Sequence, residues 1–181
     1  MARLEQDFFA QDTLTVARQL VGKVLVHQTP EGEKRLRIIE TEAYIGEGDT
    51  ACHAHKGRTR RTETMYGPAG TVYIYLCYGM HWMANIVTGA VNDPQAVLIR
   101  ACETAEGPAR LTKALGITGD LNRTSVLDAE NPLWLEDDGF VCDVYTDTRV
   151  GIGYASAEDQ ARPWRFCMVR ENPKKKRSKR E

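Results

Sequence analysis

Two runs of residues constrain this chain more than any others: Ile38-Ile39-Glu40-Thr41-Glu42-Ala43-Tyr44 and Tyr73-Ile74-Tyr75-Leu76-Cys77-Tyr78. A strand displays every second side chain on one face. Read as a strand, the first run puts Glu40, Glu42 and Tyr44 on the same side. The second gives Tyr73 and Tyr75 to one face and Tyr78 to the other, and Gly79-Met80 then turns it into WMANIVT as a hairpin. Two acids and an aromatic that share a face with no apolar purpose predict a site.

The remaining pattern is mostly strands. KVLVHQ and RLRIIETEAYI flank a TPEGEK turn, and AVLIRACE, PLWLED, FVCDVYT, TRVGIGYA and WRFCMVR read as further strands. Two helices are expected. Asp12 or Thr13 caps the first, Leu14, Ala17, Leu20 and Val21 form its buried stripe, and Gly22 ends it. Gly107-Pro108 opens the second, ARLTKAL, which Gly116 ends. Gly46 to Gly67 reads as loop with one helical turn at DTACHAH. Strands outnumber helices without alternating with them. The expected fold is therefore one α+β domain with a curved, mostly antiparallel sheet and a protruding β-hairpin.

A length of 181 residues suits a single domain with a sizeable core. No run of eighteen apolar residues is present, so no membrane span is expected. The N-terminus lacks the apolar stretch of a secretory signal, which favours the cytoplasm. Five scattered cysteines without a CxxC pair argue against a disulfide framework or a cysteine-rich metal site.

The net charge of −1 hides an asymmetry. Residues 171–181 hold six Lys/Arg against two Glu, and they read as a basic, disordered tail beyond a domain over 1–170. The rest of the chain is net acidic, so any contact with a polyanion must come from a local basic face. Lys56, Arg58, Arg60 and Arg61 lie between the carboxylate strand and the tyrosine hairpin, and form one candidate. The acids collect elsewhere, around LDAENPLWLEDDG.

A carboxylate beside aromatics and basic residues suits a planar or charged ring on a polyanionic chain, which points to chemistry on a nucleobase. Cys52, His53 and His55 sit close together, but a metal would need further ligands. Neither HExxH nor HxE with PCxxC is present, so no metal is expected.

With these residues in hand, the sequence resembles the alkyladenine (3-methyladenine, or methylpurine) DNA glycosylase family. The resemblance runs from Phe8 to the RFCMVR strand. It rests on IETEAY, His53, GTVYIYLCYGM with Asn85, VLIRACE, and GPARLTKALGI. It implies a fold like the C-terminal domain of formyltransferases, and excision of alkylated or deaminated purines from duplex DNA by base flipping, without metal or organic cofactor. It also implies roles for individual residues. Glu42 would activate water with help from Arg100, Glu40 being the runner-up carboxylate. Tyr44, His53, Tyr75 and Asn85 would enclose the extruded base, and Tyr78 would fill the gap it leaves. Tyr73 is read as a packing aromatic, and His55 as a solvent or phosphate-side residue.

Lys56, Arg58, Arg60 and the helix start at Gly107, with Arg110 and Lys113, would seat phosphates. No lysine stands among the pocket motifs, which favours water over a lysine nucleophile. The expected partner is double-stranded DNA carrying damaged purines. The expected protein is a monomer, cytoplasmic and nucleoid-associated in a bacterium. A noncatalytic damage-binding module is the alternative, and an RNA-binding formyltransferase-like domain a weaker one.

Overall fold

A computed structural model describes residues 1–170, and the tail expected over 171–181 lies outside the described residues. The chain opens with a short edge strand, β1 (Ala2–Arg3), one helical turn, α1 (Gln6–Phe9), and the helix α2 (Thr13–Leu20). Asp12 caps α2, its carboxylate accepting the Thr15 backbone N–H at 3.1 Å. A hairpin follows, β2 (Val24–Thr29) and β3 (Gly32–Ile45). Beyond two 3-10 turns at His53–Lys56 and Glu63–Tyr66 comes a second hairpin, β4 (Val72–Cys77) and β5 (His81–Thr88). Next are β6 (Gln95–Cys102), β7 (Ala105–Glu106) and α3 (Pro108–Leu115). The last elements are β8 (Leu133–Asp137), β9 (Val144–Asp147), α4 (Ala157–Ala161) and β10 (Arg165–Met168).

Every strand pairing among the described residues is antiparallel. The sheet runs β1-β8-β2-β3-β6-β5-β4, with β10 pairing β3 and β9. This is the α+β, mostly antiparallel architecture expected. β3 is its axis, because its 14 residues serve both halves of the sheet. The first half pairs with β2 and the second lies between β6 and β10.

Alternation along β3 divides core from site. Ile39, Thr41 and Ala43 are buried on the side of α2, where the Thr41 hydroxyl donates to the Ala17 carbonyl at 2.7 Å. Val16, Ala17 and Leu20 of α2 join Phe9, Ile99 and Leu111 in one apolar core. Truncating a fully buried leucine such as Leu20 to alanine costs about 2–5 kcal/mol. Glu40, Glu42 and Tyr44 take the opposite face.

Several expectations need correction. Thr13 and Val16 are buried on α2, Leu14 is only half-buried, and Val21 is buried beyond the end of the helix. TRVGIGYA is not a strand. Residues 148–155 form turns with Gly151 at φ +75°, and glycines of this kind weaken a ladder. FVCDVYT contributes only its last three residues to a strand, β9, which runs on to Asp147. The helical turn expected at DTACHAH begins at His53, and a second turn, Glu63–Tyr66, follows it. The short helix α4 went unforeseen, since five residues are too few for a helical period to register. No helix among the described residues is long and apolar enough to cross a membrane.

Candidate functional site

The pleat of β3 brings Glu40, Glu42 and Tyr44 together as the alternation predicts. Glu42 is fully buried, at 0% exposure. Its Oε2 accepts the Tyr44 hydroxyl at 2.8 Å, and its Oε1 accepts the Val150 backbone N–H at 2.8 Å. Arg100 Nε lies 3.5 Å from Glu42 Oε1 and 3.0 Å from Glu40 Oε1. The β3–β6 register slips on either side of Glu40 and recovers at Thr41, so the ladder is irregular where Arg100 meets the two acids.

The two carboxylates differ in their surroundings. Glu40 is held by two guanidiniums, those of Arg100 and, at 3.1 Å, Arg165. Burial pushes the Glu42 carboxyl above the ordinary range, against the opposing pull of the Val150 N–H, Arg100 and the Tyr44 hydroxyl, while Glu40 adds to the rise. A carboxylate raised in this way accepts a proton more readily than an ordinary one. With no exposed surface, it can meet a water only where one of its present donors gives way.

Tyr44, His53, Tyr75 and Asn85 all line one cleft of about 320 Å³. Only about 40 Å³ of it lies a full water radius clear of the walls, so the cleft is narrow. Its walls are largely flat rings, with His53 and Tyr75 meeting edge to face at 4.5 Å. Tyr73, expected as packing, does pack, at 2% exposure, yet it also lines the cleft. Its hydroxyl lies 3.0 Å from His53 Nδ1. Burial, aided by the charge of Arg61, lowers His53 to about 4, so the ring is neutral at pH 7. Burial likewise raises Tyr73 to about 12 and holds Tyr44 and Tyr75 well above the usual phenol range.

The orientation of Asn85 is fixed by its neighbours. Nδ2 donates to the carbonyls of Tyr73 at 3.0 Å and Met83 at 3.4 Å, and a carbonyl can only accept. Oδ1 is therefore left without a protein partner among the described residues. Cys52 also lines the cleft, its thiol pushed up to about 11 by burial. All five cysteines are free. Among the described residues no three His, Cys, Asp or Glu are grouped as metal ligands. His55 turns outward, with Nδ1 at 2.8 Å from the Glu47 carbonyl.

Tyr78 sits at the tip of the second hairpin, 90% exposed, with Met80 at 69% beside it. β5 pairs β6 only from Asn85 to Thr88, so residues 81–84 pair β4 alone and the hairpin protrudes. Tyr78 and Gly79 both take positive φ, +51° and +68°. This is routine for glycine but unfavourable for tyrosine, and such strain collects at functional positions. The hairpin is braced from behind. The Thr112 hydroxyl donates to the Trp82 carbonyl at 3.0 Å, and Asn122 Oδ1 accepts the Ile74 N–H at 2.9 Å.

Lys56, Arg58, Arg60 and Arg61 are exposed between the two walls of the cleft. Arg61 lies over Tyr75 at 5.2 Å, and Arg58 pairs with Glu63 at 2.9 Å. Gly107, at φ +104°, precedes α3, on which Arg110 and Lys113 are exposed.

The site contains residues that the sequence reading missed. Residues 148–155 fold over the face of β3 that carries Glu42 and Tyr44, and supply the Val150 N–H. Tyr154 lines the cleft and donates its hydroxyl to the Ala51 carbonyl at 2.8 Å. Arg149 is buried in a bidentate pair with Asp49 at 2.6 and 2.8 Å. The two glycines in RVGIGY were the signal against a strand there, but nothing in the sequence paired Arg149 with Asp49.

The sequence is similar to those of known proteins. The family profile described as Methylpurine-DNA glycosylase (MPG) matches residues 7–106 and 103–173. A protein of Methanocella arvoryzae is 45% identical over 186 residues, covering 92% of each chain. One of Borrelia garinii subsp. bavariensis is 40% identical, over 91% of this chain and 95% of that one. One of Legionella pneumophila (strain Corby) is 38% identical, over 96% and 97%. All three carry the provisional name 3-methyladenine DNA glycosylase.

Proposed function

The chain belongs to the methylpurine-DNA glycosylase family, and from that premise we propose that it flips damaged purines out of duplex DNA and hydrolyses their N-glycosidic bond, leaving an abasic site. The substrates in this reading are alkylated or deaminated purines: 3-methyladenine, 7-methylguanine, hypoxanthine and ethenoadenine. The observation that carries it is the Glu42 carboxylate, buried, raised toward neutral pH and held by three donors beside an aromatic cleft.

Hydrolysis of this bond needs a water on the sugar face opposite the leaving base, and negative charge near an oxocarbenium-like sugar. Once one of its donors yields, Glu42 binds an entering water and takes its proton as the oxygen bonds to the sugar, its negative charge having faced the sugar until then, with Arg100 orienting carboxylate and water. Alkylation at N3 or N7 already makes the purine a cationic leaving group, so one carboxylate suffices. Tyr44 and Tyr75 offer electron-rich faces to such a ring, each worth about 0.5–2 kcal/mol. Neutral His53 adds no charge to repel it. Asn85, fixed in place by the Tyr73 and Met83 carbonyls, crowds the exocyclic amine of normal guanine and excludes it sterically.

Tyr78 enters the gap left by the base and offsets part of the unstacking cost. Lys56, Arg58, Arg60, Arg110 and Lys113, with the backbone at Gly107, hold phosphates. Residues 1–170 form the catalytic domain, acting as a monomer, and the basic segment 171–181 adds salt-sensitive affinity.

The test is base release from duplexes carrying single defined lesions, in EDTA, scored as strand cleavage after alkali. Wild type is expected to release the base, and Glu42→Gln to slow release about 10²–10⁴-fold. Equal rates would overturn the water mechanism. The sealed state of Glu42 also suits a noncatalytic damage-binding module, and lesion binding without any release would decide for it.

A further inference from the structure

We infer that Arg149, locked to Asp49, is the positioning residue that holds the Val150 N–H on Glu42. The inference rests on Glu42 being the group that activates water. Arg149 Nη1 donates to Asp49 Oδ2 at 2.6 Å and to the Ala43 carbonyl at 3.0 Å. Its Nη2 donates to Asp49 Oδ1 at 2.8 Å and to the Asp159 carbonyl at 3.3 Å.

Each acceptor belongs to a different wall of the site. Ala43 separates Glu42 from Tyr44 on β3, and Asp159 belongs to α4. Asp49 also accepts the N–H groups of Ile45 and Ala51, each at 3.1 Å, which fixes the turn leading into Cys52 and His53. The guanidinium lies 4.9 Å from the Tyr44 ring. The next residue along the chain then delivers its N–H to Glu42 Oε1. One side chain thus ties the segment 148–155 to the strand that carries the carboxylate.

Burying such an ion pair adds little net stability over a well-packed apolar pair. A bidentate fork that also binds two carbonyls fixes geometry, and lysine cannot reproduce it. The groups facing Glu42 are Arg100 from β6, Tyr44 and Glu40 from β3, Arg165 of β10 through Glu40, and, from the segment 148–155, the Tyr154 phenol, the Arg149 charge itself, which Arg149→Lys retains, and the Val150 N–H. Losing the last of these removes a donor that favours the ionised form, so the carboxyl protonates more readily.

The experiment is a ¹³C NMR titration of the Glu42 side-chain carboxyl in wild type, Arg149→Lys and the double variant Asp49→Asn/Arg149→Met. The double variant removes both buried charges together, which guards against loss of the fold. Both variants are expected to raise the Glu42 midpoint by about one pH unit. The acid limb of single-turnover base release is expected to move with it. Folded variants with a wild-type midpoint would overturn the inference, whatever their rates. A raised midpoint in a protein whose wild type releases no base would leave the positioning intact and overturn the proposed function instead.

Discussion

The two ends of the sheet handle charge in opposite ways. At the β1–β8–β2 end, Lys23 pairs with Asp137 at 2.6 Å, Arg37 with Asp138 at 2.6 Å, and Arg35 with both Glu33 and Glu136. At the β4–β5 end, Arg58 alone among Lys56, Arg58, Arg60 and Arg61 has a carboxylate partner among the described residues. These pairs are half-buried, where desolvation offsets much of the attraction, so stability alone does not explain the contrast. Availability does. The paired end holds Lys23, Arg35 and Arg37 on carboxylates, whereas the other keeps Lys56, Arg60 and Arg61 without one beside the cleft. A net charge of −1 conceals both arrangements.

The largest effect should come from reversing the free end. Arg60→Glu/Arg61→Glu is expected to weaken binding to a lesion duplex about a hundredfold and to flatten its salt dependence. Arg35→Glu, at the closed end, is expected to leave that affinity unchanged while lowering the unfolding midpoint. If both variants lose affinity equally in titrations at several salt concentrations, the division between the ends is false.

Acid should separate the ends next. His53 is held neutral by the fold down to about pH 4, whereas the unfolded residue takes a proton near 6.5. Its stabilisation is complete above pH 6.5 and is lost as pH falls toward 4, by up to about 3 kcal/mol. At the closed end, Arg37 holds Asp138 well below 3.8, so that contribution survives until lower pH. Urea midpoints measured between pH 7 and 3 would show the first loss above pH 4. His53→Gln should remove it.

Smaller effects are expected at the hairpin tip and the tail. Tyr78→Ala should weaken duplex binding roughly tenfold and leave affinity for a free base unchanged. Equal losses in both assays would remove the wedge role. Deleting residues 174–181 should reduce only the salt slope of DNA affinity, and an unchanged slope would show that the segment makes no phosphate contacts.

The sequence made the fold legible where side-chain alternation was strong and turns were marked. Glu40, Glu42 and Tyr44 shared a face because the pleat of β3 demands it. Gly79 marked the hairpin turn, and Pro108 and Gly116 bounded α3. It was silent where a backbone group does the positioning. The Val150 N–H has no side-chain signature, and the alternation of Val150, Ile152 and Tyr154 imitated a strand. Arg149 and Asp49 are 100 residues apart and meet only through the tertiary fold. Tyr73 was legible as packing but not as the partner of His53, because one buried ring performs both tasks.

Glu42 has no exposed surface in this state, and that bears on how an enzyme of this family could search a chromosome. A carboxylate open to solvent would repel the phosphates it slides past and would gather counterions. A sealed one adds no charge of its own to the surface that intact DNA meets. On the proposed mechanism, searching and cutting are two settings of the hydrogen bonds that close Glu42, that of the Tyr44 phenol among them.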